Sequence, residues 1–308
     1  MLENINVFVV VVTYNGKYWY DRCFPSLLSS EVPVQIIVID NASADDTVKF
    51  IKDKYPEIIL FESDKNLGFG KANNIGIKYA LDHNADFVFL LNQDAWIEVN
   101  TLEELIRVSI LNPEYGILSP IHLNAEKTEI EQGMLVPLAL PIHTPSEIIS
   151  DFYLGLKKDV YDTDYVLAAA WLLPRKTLKT IGGFDPIFFH YGEDDNYLSR
   201  VIYHGLKVGI VPKVTICHDA RRPIFKRGRN QTVTFDKWLL QRSTDLRYPD
   251  NQIDVMIKEY CKQVIIKLIT FKRKTFLENY RNMMFLLRNK KSILESRKHN
   301  KQKGRTWL

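Results

Sequence analysis

Residues 7–16 read Val-Phe-Val-Val-Val-Val-Thr-Tyr-Asn-Gly. Val7 to Val12 are apolar without alternation, the pattern of a strand covered on both faces. The run stops at Thr13-Tyr14-Asn15-Gly16, residue types that favour turns. Working outward, the same unit recurs. Strands are expected at Asn6–Val12, Val34–Ile39, Ile58–Phe61 and Phe87–Leu91, with helical patterns near 18–29, 44–54 and 70–82 between them. Alternation of this kind predicts an α/β chain in which helices wrap a parallel sheet.

Beyond residue 92 a helix is expected near 100–111 and a strand at Tyr115–Ser119. Residues 120–164 carry Pro120, Gly133, Pro137, Pro141 and Pro145 and read as hairpins and loops. Order resumes at Val166–Leu173, then a helix near 175–181, a Gly-Gly turn at 182–183, a helix near 193–204, and strands at Lys207–Val211 and Val214–Cys217. Arg221–Arg229 reads as a basic loop and 251–290 as long helix.

Composition narrows the class. With 308 residues and 46% hydrophobic content the chain can bury a sizeable core, which excludes disorder throughout. Its longest apolar run is six residues, against the roughly 18–20 that span hydrocarbon. Met-Leu-Glu-Asn lacks a basic leader, so export is not expected. Cys23, Cys217 and Cys261 are too scattered for a disulfide framework or a zinc site, which fits a reducing, cytoplasmic setting. The net charge of +4 hides an asymmetry: from Lys258 onward 15 Lys/Arg face three Asp/Glu, leaving −8 on residues 1–257. An anionic membrane surface, an acidic partner or nucleic acid could each answer to that tail. It lacks a recognised nucleic-acid reading module, so nucleic acid is not expected. Its mixed basic and apolar helical pattern suits either an interfacial helix on the inner face of the plasma membrane or a helix packed on the main domain.

Ligands of open parallel sheets bind beyond the carboxyl ends of the strands. Those ends are polar here: Thr13-Tyr14-Asn15-Gly16, Asp40-Asn41-Ala42-Ser43 and Asn92-Gln93-Asp94. Each alone could be loop or cap chemistry; three on one rim point to a polar ligand. Asn66-Leu67-Gly68-Phe69-Gly70-Lys71 precedes a helix, where glycines let backbone approach a phosphate. It lacks the third glycine of a dinucleotide fingerprint, and a capped turn is the alternative. Asp94 could anchor a hard cation, Mg²⁺ or Mn²⁺, with a diphosphate, or cap a helix. Glu193-Asp194-Asp195 opens a helix, where acids complement the dipole. Three adjacent acids exceed that need, and their repulsion raises a pKa towards the range of a general base. His218 follows a short strand and could bind metal or donate to phosphate.

Taken in order, Val-Val-Val-Thr-Tyr-Asn-Gly (10–16), Val-Ile-Asp-Asn-Ala-Ser (38–43), Asn-Leu-Gly-Phe-Gly-Lys-Ala-Asn-Asn (66–74), Leu-Leu-Asn-Gln-Asp (90–94) and Gly-Gly-Phe-Asp…Tyr-Gly-Glu-Asp-Asp (182–195) carry a resemblance. Over residues 5–220 the chain resembles the family 2 glycosyltransferases, inverting enzymes of the GT-A fold, in particular the bacterial rhamnosyltransferase-like branch. The resemblance implies a GT-A domain over 1–220 and a basic helical extension over 221–308. It implies a dTDP- or UDP-sugar donor, a glycan or lipid-linked acceptor, and a divalent cation.

By the same resemblance Thr13, Tyr14 and Asn15 line the nucleotide pocket. Asp40 holds the base, and Asn66 and Lys71 lie near ribose and diphosphate. Gln93 and Asp94 bind the nucleotide sugar, with Asp94 and His218 as metal ligands. Asp194, with Glu193, is the catalytic base, and Asp185 lies near donor sugar or acceptor. Two departures stand out: Asn92 replaces the first acid of the D-x-D element, and Ala168-Ala169-Ala170-Trp171 replaces a small Ser/Gly element. Two rivals remain. A sugar nucleotidyltransferase would carry a Gly-rich, basic loop where Thr13-Tyr14-Asn15-Gly16 stands, and a non-catalytic nucleotide-sugar-binding subunit would explain Asn92.

Overall fold

The computed structural model describes residues 5–139, 147–220 and 231–308. The opening run forms β1 (Val7–Thr13), paired in parallel with β2 (Val34–Asp40) on one side and β4 (Phe87–Asn92) on the other, while β3 (Ile59–Glu62) extends the sheet beyond β2. Why β1 lacks alternation is now visible. Val7, Val9 and Val11 point into one core with Tyr20, Phe24 and Leu27 of α1 (Tyr20–Leu28) and Leu102, Leu105 and Ile106 of α4 (Thr101–Leu111). Phe8 and Val10 point into a second core with Ala72, Ile77 and Ala80 of α3 (Phe69–Asp82). Both faces are dry, so both need apolar side chains. The smaller α2 (Thr47–Lys54) adds Ile51 to the first core.

Past β4 the sheet becomes mixed. Its order is β3-β2-β1-β4-β8-β6-β9-β5, with β7 also on β9. Here β5 is Ala95–Ile97, β6 Tyr115–Leu123, β7 Tyr161–Thr163, β8 Ala170–Pro174 and β9 Lys207–His218. β8 runs antiparallel to β4 and β6, while β6 and β9 are parallel. α7 (Arg175–Ile181) and α8 (Glu193–Tyr203) cover the second core with Leu178, Ile181, Tyr197 and Val201.

Several expectations need correction. Residues 120–164 are not all hairpins and loops: β6 runs through Pro120, one hairpin closes at the Leu123–Ile130 bridge, and α5 (Gln132–Ala139), α6 (Glu147–Leu154) and β7 follow. Pro120 survives in a strand because register slips there, Pro120 facing Val211 and Ile121 facing Thr215, and such an irregularity relieves the missing N–H. The same slip lets the two expected segments Lys207–Val211 and Val214–Cys217 join as one strand. Of Val166–Leu173 only the end is strand. The basic loop Arg221–Arg229 lies outside the described residues.

The long helix over 251–290 is two helices, α10 (Gln252–Ile269) and α11 (Arg273–Asn300), broken at Thr270–Lys272, where Phe271 has φ 53°. With α9 (Gln231–Thr244) they enclose a third, small core of Leu239, Ile253, Met256, Leu286 and Ile293. The end of the chain then threads back onto the main sheet domain. Buried Arg200 of α8 donates to the Gly183 and Ile181 carbonyls and to Thr306 Oγ1. The Gly183 amide donates to the Thr306 carbonyl at 2.8 Å. Gly182 has φ 78°, and a side chain there would overlap the Thr306 backbone, so this turn requires glycine. Much of the tail therefore packs on the main domain. Among the described residues no helix is long and apolar enough to cross a membrane.

Candidate functional site

Register builds the rim. Thr13 is level with Asp40, and Val12 with Asn92, so the exits of β1, β2 and β4 open side by side. The Asp40 carboxylate, buried, accepts the Thr13 hydroxyl at 3.1 Å and the Ser43 amide at 3.0 Å. Asn15, at φ 49°, accepts the Ala44 amide on its side-chain carbonyl at 2.7 Å, and its own amide donates to Ser43 Oγ at 2.9 Å. The first two loops are thus one unit. Tyr14 is half exposed beside them.

Gln93 latches the third exit to the first. Its Oε1 accepts from the Tyr14 amide at 2.9 Å and from the Tyr20 hydroxyl at 3.1 Å, and its Nε2 donates to the Tyr14 carbonyl at 3.2 Å. Its carboxamide is thereby occupied within the protein. Asn66 behaves similarly: its Oδ1 accepts from Asn41 Nδ2 at 3.0 Å and from the Gly68 amide at 2.9 Å. Gly68, at φ 81°, passes so close to the Phe189 carbonyl that no side chain fits. That contact draws the start of α3 against the segment leading into α8. Lys71 lies exposed in the first turn of α3, where the helix end favours an anion.

Asp94 and His218 come together as the resemblance implies. β5 pairs antiparallel with the end of β9, setting Ala95 opposite His218, and Asp94 Oδ1 stands 3.3 Å from His218 Nε2. Asn92 Nδ2 approaches the same nitrogen at 3.5 Å. Two further residues complete the group and escaped the sequence reading. Glu131 Oε2 lies 3.2 Å from His218 Nδ1 and 3.7 Å from His122 Nδ1, and the donor atoms of His122, Glu131 and His218 all fall within 4.8 Å of one another. The signal for His122 was the strand end itself, hidden because Pro120 reads as a stop. Glu131 becomes a neighbour only through the hairpin that places its amide on the His122 carbonyl.

Charge follows this geometry. Burial works against a charged His218, but the Asp94 and Glu131 carboxylates outweigh it and raise its pKa to about 9. Burial would raise Glu131, yet the two imidazoles hold it down at about 2. His122, fully buried and bonded to Ser119 Oγ at 3.1 Å, is pushed down by burial. The donor set suits a divalent ion: a carboxylate oxygen from Asp94 and an imidazole nitrogen from His218.

The acid cluster stands on α8. Gly192, at φ 99°, turns the chain into the helix, and Glu193, Asp194 and Asp195 fill its first turn. Burial first, then the Asp194 charge, raises Glu193 to about 7 and Asp195 to about 7. Asp194 is also raised, by burial, with the amides of Asp195, Asp194 and Gly192 opposing. Gln241 Nε2 holds Asp195 from α9. Buried Glu193 Oε2 and the buried side-chain amide of Asn196 have no hydrogen-bond partner among the described residues. A β-carbon built on Gly70 would lie 3.6 Å from that of Glu193, so the cluster borders the start of α3. Burial first, then the charges of Asp194, Asp195 and Glu131, push the Tyr165 phenol pKa up.

Asp185 is 1% exposed, and its carboxylate accepts from Ser296 Oγ at 2.5 Å, Asn300 Nδ2 at 2.7 Å and the Ile187 amide at 2.9 Å, so it fastens α11.

Comparison with known proteins places the family and the fold. The model of Glycosyl transferase family 2 matches residues 8–179. N-acetylglucosaminyl-diphospho-decaprenol L-rhamnosyltransferase of Mycobacterium tuberculosis is 25% identical over 229 residues, 68% of this chain and 75% of that protein. dTDP-rhamnosyl transferase RfbF of Shigella flexneri is 23% identical over 226 residues, 70% and 69% of the two chains. Among solved structures, S. aureus TarS 1–349 in complex with UDP superposes with a TM-score of 0.54 at 14% identity, covering 96% of this chain and 91% of that one. GalNAc-T7 with UDP, GalNAc and Mn²⁺ gives 0.54 at 15% identity, covering 80% and 52%. These two likenesses establish the GT-A fold. The chain belongs to glycosyl transferase family 2.

Proposed function

We propose that this glycosyltransferase moves a hexose, rhamnose foremost, from a dTDP- or UDP-sugar to a hydroxyl of a glycan or lipid-linked acceptor, with inversion, in bacterial cell-surface polysaccharide synthesis. The observation that carries the reading is the polar rim where β1, β2 and β4 end, with Asp94 3.3 Å from His218 and the acid cluster of α8 bordering the start of α3. The relatives named for rhamnosyl transfer support the choice of sugar.

A sugar hydroxyl is a weak nucleophile until its proton is taken. Asp194, its pKa raised by burial, takes it as the acceptor oxygen attacks the anomeric carbon. The bond from that carbon to the diphosphate oxygen breaks, and the nucleoside diphosphate leaves with the electron pair. Asp94 and His218 would hold a divalent cation there, which supplies positive charge to the departing diphosphate. Thr13, Tyr14, Asn15 and Asp40 face the base and ribose, and Lys71 at the start of α3 faces the phosphates. Attack and departure on opposite faces invert the anomeric carbon in one displacement.

Asp194→Asn is expected to abolish transfer while leaving nucleotide-sugar affinity within about twofold, because the lost group acts only as the bond forms. Turnover with dTDP- and UDP-sugars, read as released nucleoside diphosphate, and titration calorimetry with the same donors check both halves. A fully active Asp194→Asn chain removes the assignment. Pyrophosphate as the product would instead mark a nucleotidyltransferase.

A further inference from the structure

The hairpin of α10 and α11 is anchored at its base and bare at its tip. The small core with α9 reaches no farther than Met256 on one helix and Leu286 on the other, with Tyr260 and Phe285 packed at its edge. From Cys261 to Arg281 no side chain is fully buried. At 1.5 Å per helical residue, the stretch from Tyr260 to Ile269 carries the tip about 15 Å past that core.

A helical turn that only meets water is ordinarily polar. This one exposes Leu268 by 61%, Ile269 by 68% and Phe271 by 93%, with Ile265 and Leu277 each 53% exposed alongside. Lys262 and Lys267 stand on one helix and Lys272, Arg273 and Lys274 lead into the other, against Glu278 alone. None of these five cations forms an ion pair among the described residues, whereas Lys290 and Lys301 nearer the base do. An apolar apex with unpaired cations flanking it matches the two layers of a bilayer interface: acyl boundary for Leu268, Ile269 and Phe271, anionic headgroups for the lysines and arginine.

We propose that this hairpin tip, residues 262–277, docks the enzyme on an anionic lipid surface, while the remainder of the basic tail serves to pack on the catalytic domain. Charge argues against a second copy as the occupant, since two such tips would bring like cations together. The site would suit a lipid-linked acceptor, and it rests on the proposed function for its purpose only. Docking itself involves no residue of the transfer cleft.

The full chain is sedimented with phosphatidylcholine vesicles and with vesicles that also contain phosphatidylglycerol, at low and physiological salt. We expect partitioning onto the anionic vesicles alone, weakening as salt screens the headgroups. The Ile269→Glu/Phe271→Glu chain should lose about tenfold in partitioning, with unchanged circular dichroism, melting temperature and donor turnover. A parent chain that binds neither vesicle, or a variant that sediments as well as the parent, overturns the proposal. So does light scattering that shows a dimer dissolved by the same substitutions without vesicle binding. Loss of transfer in Asp194→Asn is read separately, so failure of either idea leaves the other standing.

Discussion

Glu193, Asp194 and Asp195 hold their protons more tightly than isolated carboxyls because all three are buried, and the Asp194 charge adds to the effect on Glu193 and Asp195. The base must be ionised to work, and burial raises the Asp194 pKa, so turnover should fall on the acid side as Asp194 takes up its proton. Glu193→Gln takes one charge away from Asp194. The acidic limb of the kcat profile should then move to lower pH, whatever happens to its height, and an unmoved limb would show that the Glu193 charge does not reach the base. The same groups set a stability trend. Their folded pKa values exceed the unfolded value of about 4.3 for Glu and 3.9 for Asp, so the folded chain binds more protons between there and about 7. The stabilisation they lend is full at lower pH and is lost as pH climbs through that window. The companion group answers to metal instead. Asp94→Ala should leave the fold intact and weaken cation-dependent binding of UDP or dTDP by about tenfold or more, measured by calorimetry with and without Mn²⁺. Equal affinities under both conditions would remove Asp94 from cation binding.

At the level of elements, the parallel half of the sheet was legible because each strand there is buried on both faces and reads as an unbroken apolar run. The rim residues were legible for the same reason, since Thr13, Asp40 and Asn92 simply end those runs. The mixed half was not. β6 hides behind Pro120, β5 is three residues long, and Glu131 meets His218 only through a contact between residues far apart in sequence, set up by the hairpin that closes at Leu123–Ile130. The partners of Asp185 were hidden for a related reason. A motif can say that an acid is needed after Gly182-Gly183-Phe184, but only the folded tail shows that Ser296 and Asn300 need it. Asp185→Ala should strand both donors, each at a cost of about 1–3 kcal/mol, and lower the melting temperature by several degrees. Affinity for the donor nucleotide should hold. Lost affinity with an unchanged melting temperature would place Asp185 at the sugar site.

For the whole molecule, the C-terminal extension divides by depth of packing rather than by sequence. Near its end, the Asn74 side chain donates to the Phe184 carbonyl at 2.8 Å and to the Trp307 carbonyl at 3.1 Å, and Arg305 pairs with Asp82 at 3.0 Å. Arg297, buried, donates to the carbonyls of Asp245 at 2.6 Å and Tyr248 at 2.7 Å. Arg200, on the helix that presents Asp194, ties the same tail to the Gly182–Gly183 turn through the Gly183 carbonyl and Thr306. Removing residues 301–308 uncovers Arg200, whose Nε already lacks a partner among the described residues, and takes away the Thr306 hydroxyl that it meets at 3.1 Å. A buried guanidinium that loses an acceptor is costly, so this short truncation should lower both the melting temperature and donor turnover. The hairpin tip is the opposite case. Replacing residues 264–277 with a short glycine linker removes more chain, yet no side chain between Cys261 and Arg281 is fully buried, and the melting temperature should change by no more than about 2 °C. Calorimetric melting of the two deletion chains beside the parent decides the matter: if the tip deletion destabilises as much as loss of the last eight residues, the tip packs on protein and the division by depth is wrong.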